Sequence, residues 1–274
     1  HLTGRYSKIE LYPFSFKEFL QFHHTTYDRL TSSLKAEMLK MFDQYLVNGG
    51  FPEYLKYKDK EFIQRTYEDI IYKDIITRFG IREIKSFKQL TQFLFTNFTK
   101  EISYNSLKNI LNIKSPVSIK DYIGFLQESY LVFELFKYDF SLKKQFIADK
   151  KIYVIDNGMR NNLAFYFSED RGRLLENVVF VELKRRGKEF YFFKDKRECD
   201  FVIVEKNKTV AAIQVTQHLK KENEKREKEG IIEAMSRFKL KEGLILTDYQ
   251  DDELIINKNK KIKILPVWKW LLTF

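Results

Sequence analysis

The sequence predicts an α/β protein of several domains, with a helical connector, then a winged helix-turn-helix, then an α/β domain. Two observations lead to this prediction. Between residues 86 and 165, three segments with helical features precede two strand-like segments. From residue 166 onward, helices and strands follow one another in an order that is typical of an α/β arrangement. The composition, with 44% hydrophobic residues and only ten Gly and four Pro, is that of a chain that builds hydrophobic cores.

The first 85 residues are predicted to be mainly helical. Ile9-Glu10-Leu11 is strand-like and ends at Pro13, and Ser15 is a suitable N-cap for a helix that begins at Phe16. Residues 23–85 form the helical connector, in which apolar residues recur at helical spacing. They include Leu34, Met38, Met41, Phe42 and Tyr45, and a second amphipathic helix runs from Thr66 to Phe79.

Residues 86–165 have the element order of a winged helix. The predicted helices are Phe87–Phe98, Ser106–Leu111 after the cap Ser103, and a third from Ser115-Pro116 to Leu126. The predicted strands are Leu131–Lys137 and Lys151–Ile155, with residues 141–150 as the wing between them. Asp156-Asn157-Gly158 is interpreted as a tight turn, which gives Asp156 a structural role.

The charge of the chain favours nucleic acid as a partner. The formal net charge is +11, and a helix-turn-helix places the start of its third helix against DNA. Lysines of a wing are suited to phosphate contacts. Asp121 in the third helix opposes such an approach, and winged helices also serve as protein-interaction modules. The predicted DNA-binding residues are Ser115, Val117, Ser118, Lys120, Lys143, Lys144, Lys150 and Lys151.

A β-hairpin organises the C-terminal region. Two apolar runs, residues 201–204 and 210–213, flank the polar turn Glu205-Lys206-Asn207-Lys208. Asp200 begins the first strand, and alternation puts Gln214 and Thr216 on the same face of the second strand. The acid Glu176 lies on a preceding helix, while the charged segment Lys220–Phe238 is predicted to be a helix with a solvated face.

These residues resemble the PD-(D/E)xK nuclease fold, in which a helical acid, a strand Asp and an acid-x-Lys motif follow in order. The resemblance implies that Glu176, Asp200 and Gln214 would hold a divalent metal ion and that Thr216 stands where the family has Lys. Gln brings no charge and Thr no ammonium. The predicted catalytic set Glu176, Asp200, Gln214 and Thr216 is therefore expected to be inactive, and a metal-dependent DNA nuclease is the alternative.

A second resemblance covers most of the chain. The strings LTGRY, IELYPFSFKEFL, YLVNGGFPEYL and KIYVIDNGMRNNL are similar to the C-terminal region of archaeal and bacterial AAA-type ATPases. It implies that residues 1–22 are the tail end of the ATPase domain and that residues 166–274 form the nuclease-like domain. Arg5 would then face nucleotide in the intact protein. No GxxxxGK[ST] motif occurs, so no cofactor is expected here, and ATP and Mg²⁺ are implied for the ATPase part.

The remaining expectations concern location and partners. One cysteine, no long apolar run and no signal-peptide pattern predict a cytoplasmic protein without a membrane partner. The first residue is not Met, which suggests an interior piece of a longer protein. Expected partners are DNA, the chain's own ATPase domain or other subunits, and a second copy in a homo-oligomer. The leading hypothesis is a catalytically silent, DNA-binding regulatory region of an ATPase; a protein-interaction or oligomerisation module is the other alternative.

Overall fold

The computed structural model describes residues 9–27, 32–164 and 171–273 of this protein. It is a mixed α/β protein, which confirms the predicted fold class at that level. Its division into a winged helix and a nuclease-like domain stays a prediction. Within the described ranges, no helix is both long and apolar enough to cross a membrane.

The N-terminal part is helical. Ser15 caps the first helix, where its hydroxyl accepts from the Glu18 amide at 3.2 Å and its own amide donates to the Glu18 carboxylate at 2.7 Å. Ile9 to Leu11, by contrast, have no regular structure, so the predicted strand does not form, and Ile9 and Leu11 are exposed. The helices are α1 (Phe16–Phe22), α2 (Ser32–Asn48), α3 (Pro52–Tyr57) and α4 (Lys60–Asp69), which continues as a π-helical segment, Ile70–Thr77.

A three-helix unit with a small sheet follows. Its helices are α5 (Ile84–Thr96), α6 (Tyr104–Leu111) and α7 (Pro116–Glu128), and Ser103 and Ser115 cap α6 and α7 as predicted. The strands β1 (Glu101–Ile102), β2 (Val132–Leu135) and β3 (Lys150–Val154) form an antiparallel sheet in the order β1-β3-β2. Helix α8 (Leu142–Ile147) lies between β2 and β3 and replaces most of the predicted wing.

Asp156 begins a helix and does not form the predicted turn. Its carboxylate accepts from the Met159 amide at 2.9 Å and so caps α9 (Asn157–Leu163). It also accepts from the Gly50 amide at 2.7 Å, across the loop between α2 and α3. Burial raises the pKa of Asp156 to about 6, although the three backbone amides that donate to it oppose that rise. Asp156 therefore joins two segments that are distant in sequence, a role that the local pattern does not reveal.

The C-terminal part is a six-stranded mixed sheet with helices. The elements are α10 (Arg171–Arg185), β4 (Glu189–Lys194), β5 (Glu198–Glu205), β6 (Lys208–Val215), α11 (Glu224–Arg237), β7 (Glu242–Thr247), β8 (Asp252–Asn257), β9 (Lys260–Pro266) and α12 (Val267–Leu271). The order of strands is β4-β5-β6-β7-β9-β8, and β7 is parallel to both β6 and β9. The hairpin between β5 and β6 turns at Lys206 and Asn207, both with positive φ, as expected for a two-residue hairpin turn.

The two sheets are joined through the chain that follows β2. The Tyr138 amide donates to the Phe192 carbonyl of β4 at 2.7 Å, and the Phe192 amide donates to the Phe136 carbonyl at 3.1 Å. Lys194 of β4 also pairs with Glu101 of β1. These contacts hold β3 against the beginning of β5. Residues of both sheets therefore meet in one buried region.

Helix α11 packs on the six-stranded sheet through a close approach at Gly230. A Cβ atom at this position would overlap with the carbonyl oxygen of Glu198 in β5. Besides Glu227 and Gly230, the face that α11 buries consists of Ile231, Ala234 and Met235. The helix therefore has a buried face in addition to the predicted solvated one.

Gly230→Ala is expected to lower the free energy of unfolding by about 1–3 kcal/mol, because α11 must move away from β5. Gly124→Ala is the matched control, since no heavy atom lies within 4 Å of the added Cβ in α7. That control should stabilise the protein by about 0.5–1 kcal/mol, because alanine is the better helix former. Urea unfolding of both variants measures the difference, and equal effects would exclude the close approach.

Candidate functional site

A buried cluster of charged side chains lies where the two sheets meet. Glu176 comes from α10, and Glu198 and Asp200 come from β5, where alternation turns both to the same side. Lys151 enters from β3 of the smaller sheet. Glu176, Asp200 and Lys151 are buried, while Glu198 is partly exposed at the edge of a cleft of about 430 Å³.

The ammonium group of Lys151 lies between three carboxylates. Its Nζ is 3.1 Å from Glu176 Oε1, 3.0 Å from Asp200 Oδ1 and 2.6 Å from Glu198 Oε1. The Tyr153 hydroxyl, two residues along β3, donates to the same Glu176 oxygen at 2.7 Å. The contacts of Lys151 with Glu176 and Asp200 are charge-assisted hydrogen bonds, and its contact with Glu198 is an ion pair.

Gln214 lies beside Asp200 and connects the cluster to α11. Its side-chain oxygen accepts from the Asp200 amide at 3.2 Å, and its side-chain nitrogen donates to Glu227 Oε2 at 2.8 Å. Asp200 Oδ2 in turn accepts from the Val215 amide at 2.9 Å. Arg226, at the rim of the cleft, donates to Glu227 Oε1 at 2.6 Å. The predicted trio of Glu176, Asp200 and Gln214 is therefore brought together.

Burial and charge set the protonation of this cluster. Burial raises the pKa of Glu176 to about 7, with Lys151 opposing the rise and Asp200 adding to it. Burial lowers the pKa of Lys151, but the carboxylates of Glu176, Asp200 and Glu198 outweigh it and hold that pKa well above its usual range. Lys151 is thus charged at neutral pH, whereas Glu176 gains or loses its proton close to neutral pH.

The donor atoms of this cluster do not fit a divalent metal ion as they are arranged. The Glu176 oxygen that faces Lys151 also accepts from Tyr153, both Asp200 oxygens are engaged, and the Gln214 oxygen accepts from a backbone amide. In the part of the chain that the structure describes, no group of three His, Cys, Asp or Glu side chains could hold a metal. A cation could reach the carboxylates only if Lys151 moved away.

Thr216, the remaining member of the predicted catalytic set, lies apart from the cluster. The Thr216 hydroxyl accepts from the Asn223 side chain at 3.4 Å and lies 3.5 Å from the His218 carbonyl oxygen, beyond the end of β6. It shares none of the hydrogen bonds described above. Arg5 lies outside the described residues.

The predicted DNA-binding residues divide into exposed and buried groups. Val117 and Lys120 on α7 and Lys143 and Lys144 on α8 are exposed, while the Ser115 hydroxyl caps α7 and Ser118 is half-buried.

Lys150 and Lys151 are buried, which corrects their prediction as surface lysines of a wing. Lys150 donates to the carbonyls of Phe146 and Ala148, and Lys151 contacts the carboxylates. Both belong to β3, where alternation turns their side chains to opposite faces of the strand. Neither ammonium group is available to a phosphate.

Sequence reasoning missed three members of the cluster. Lys151 was assigned to DNA contact because it follows Lys150 in a basic segment, and only the packing of the two sheets shows its true neighbours. Glu198 could have been found, since it lies two residues before Asp200 on the same strand. Glu227 is one of many charged residues in its helix, and nothing in the local pattern distinguishes it.

Two family models match this chain. Residues 39–170 match a domain of unknown function, DUF8612, and residues 171–270 match another, DUF4143. The second domain is found at the C-terminus of AAA-ATPase-like proteins. The boundary between the two matches falls immediately before α10.

Two curated relatives are similar to the chain. An uncharacterized protein of Methanocaldococcus jannaschii is 37% identical, over all of this chain and 65% of its own length. An uncharacterized protein of Haemophilus influenzae is 29% identical, over 73% of this chain and 51% of its own length. The chain thus spans less than two thirds of either relative. No solved structure matches it significantly.

Proposed function

We propose that this chain is the DNA-binding and regulatory C-terminal region of an AAA-type ATPase, and that its nuclease-like cluster is catalytically silent. The observation that carries DNA binding is a set of three exposed lysines, one in the second turn of α7 and two on α8. Lys120, Lys143 and Lys144 make no ion pair with any described residue, so their charge is directed to solvent. Unpaired surface lysines are what a phosphate backbone recruits.

The arrangement of α7 and β3 supports a common binding face. The positive charge of Lys120 favours the ionised form of Glu134 in β2 and disfavours the ionised form of Lys150 in β3, so Lys120 lies near both strands. The first turns of α7 are therefore close to the segment between β2 and β3 that carries α8. In a helix-turn-helix, this end of the third helix approaches DNA. Lys120, Lys143 and Lys144 would then contact phosphates on the same duplex.

The proposal of a silent cluster rests on Lys151. Its ammonium group supplies the positive charge that the carboxylates of Glu176, Asp200 and Glu198 require, in the place that a metal ion would need. A buried ion pair of this kind fixes one arrangement of the elements that carry it. We assign the cluster to holding the two sheets in register.

Lys143→Ala/Lys144→Ala is expected to weaken binding of labelled duplex DNA and to make it less dependent on salt. Each lost phosphate contact should lower the slope of log affinity against log salt by about 0.9, so the double variant should lose nearly 2. Fluorescence anisotropy over a series of salt concentrations measures this slope. Lys208→Ala/Lys258→Ala is the matched control, because it removes two exposed charges from hairpin turns of the larger sheet. No binding by wild-type protein at low salt would contradict the proposal.

A metal-dependent DNA nuclease is the second candidate, and one observation favours it. An ammonium group does lie beside Glu176 and Asp200, although it comes from Lys151 and not from the position of Thr216. Gel analysis of the same DNA samples after incubation with Mn²⁺ or Mg²⁺ separates the candidates. Intact DNA is the result expected for a silent cluster. Metal-dependent shortening of the DNA that Asp200→Ala abolishes would overturn the proposal that the cluster is silent.

A further inference from the structure

Four large apolar side chains are exposed in the segment of chain that connects β2 to β3. Phe140, Leu142, Phe146 and Ile147 are 75%, 65%, 64% and 73% exposed, and α8, to which three of them belong, buries none of its residues. We call these four residues the apolar patch. Single exposed apolar residues are ordinary on protein surfaces, but a group of this kind within eight positions indicates a binding surface.

The apolar patch is held in place by hydrogen bonds at both ends. Before α8, the Asp139 carboxylate accepts from the Ser141 amide at 2.9 Å, and the Gln145 side chain donates to the Asp139 carbonyl at 2.6 Å. After it, the buried Lys150 donates to the Phe146 carbonyl at 2.6 Å. A helix of six residues is not stable alone, so these bonds are what keep it formed. The patch is therefore presented ready for contact.

The charges around the apolar patch are positive and available. Lys143 and Lys144 lie within α8, and neither forms an ion pair with a residue that the structure describes. The Arg237 guanidinium, at the end of α11, lies 5.5 Å from the centre of the Phe140 ring. Two exposed aromatic rings thus share one segment with two lysines, and an arginine lies beside one of the rings. Aromatic rings combined with cations are the composition of surfaces that bind single-stranded nucleic acid.

A single strand fits these groups better than a duplex does. Its bases are free to stack on a ring, whereas the bases of a duplex are already stacked and a wedge must separate them. The side chains of Leu142 and Ile147 offer no hydrogen bonds with which to identify base edges in a groove.

We infer that the apolar patch binds single-stranded nucleic acid, with bases stacked on Phe140 and Phe146 and phosphates held by Lys143, Lys144 and Arg237. The inference rests on the proposed function, since it specifies which nucleic acid this region takes. It assigns the rings of Phe140 and Phe146 to single strands alone, while Lys143 and Lys144 would contact the phosphates of either form of DNA.

The test compares a labelled 20-nucleotide oligo(dT) with a labelled hairpin duplex by fluorescence anisotropy. Phe140→Ala/Phe146→Ala should weaken oligo(dT) binding by about tenfold or more, because stacking of one base contributes roughly 5- to 100-fold. Duplex binding should change less than about twofold, within the effect of ordinary surface substitutions. Leu142→Ala/Ile147→Ala is the matched control in the same apolar patch, with similar exposure and no ring, and should keep its oligo(dT) affinity.

A stacking readout accompanies the affinities. Phe140→Trp should retain oligo(dT) binding, and its indole fluorescence should be quenched on addition of oligo(dT).

Three results would overturn the inference. Duplex binding without oligo(dT) binding would reject it and leave the proposed function intact. Equal losses in the Phe and the Leu/Ile variants would indicate a general apolar contact, such as a second copy of the chain. Binding of neither probe would reject both proposals.

Discussion

Lys151→Met is expected to lower the free energy of unfolding by about 3–5 kcal/mol, the range for removal of one partner from a buried ion pair. The methionine side chain has a similar length, so the cavity left behind is small. The loss comes from the carboxylates of Asp200 and Glu198, which would lie without a cation, and from Glu176, which would have to take up a proton at pH 7 because Lys151 no longer lowers its pKa. Urea unfolding at pH 7 measures the difference.

The pH dependence of stability and two further variants show whether the lost charge causes the destabilisation of Lys151→Met. The deficit of Lys151→Met should shrink toward pH 5, because the cluster acids can then take up protons. Glu176→Gln in the Lys151→Met background should recover part of the loss, since a neutral amide replaces the acid that must otherwise take up a proton on folding at pH 7. Lys143→Met, on the exposed face of α8, should stay within about 0.5 kcal/mol of wild type. A Lys151→Met variant within about 1 kcal/mol of wild type would mean that the ion pairs do not form in solution.

Much of the fold could be predicted because its causes are local. Serine caps at Ser15, Ser103 and Ser115 fixed the beginnings of three helices, and alternation with a polar turn located the β5–β6 hairpin. The errors lie where side-chain hydrogen bonds decide the local structure. Asp156 caps a helix because Gly50 and Met159 donate to it, and residues 142–147 are helical because Asp139, Gln145 and Lys150 hold them.

The candidate site was predicted in part for the same reason. The order of Glu176, Asp200 and Gln214 along the chain was sufficient to group them, since a helix and a hairpin of one sheet carry all three. Lys151 belongs to another sheet, and its neighbours depend on how the two sheets pack. A lysine in a basic segment is usually exposed, so composition favoured the wrong assignment. No local pattern could have placed an ammonium group among these acids.

Glu176→Gln is expected to remove a pH dependence of stability that wild-type protein has between about pH 4.5 and 7. Burial raises the pKa of Glu176 from its ordinary 4.5 to about 7, so the folded state binds this proton more tightly than the unfolded state does. Its contribution to stability is therefore fully present below pH 4.5 and is lost as the pH rises through 7. At about 1.4 kcal/mol for each pKa unit, the loss reaches about 3 kcal/mol.

The measurement is the difference in free energy of unfolding between Glu176→Gln and wild type at pH 4, 5.5, 7 and 8. The glutamine keeps an oxygen that can accept from Tyr153 and Lys151, so the cluster stays hydrogen-bonded while the titrating group is gone. The variant should gain up to about 3 kcal/mol relative to wild type between pH 4 and 8. Glu53→Gln, on the exposed face of α3, is the control, and its difference from wild type should stay constant. A constant difference for Glu176→Gln as well would contradict the prediction. It would mean that Glu176 does not titrate near neutral pH and stays ionised beside Lys151 over the whole measured range.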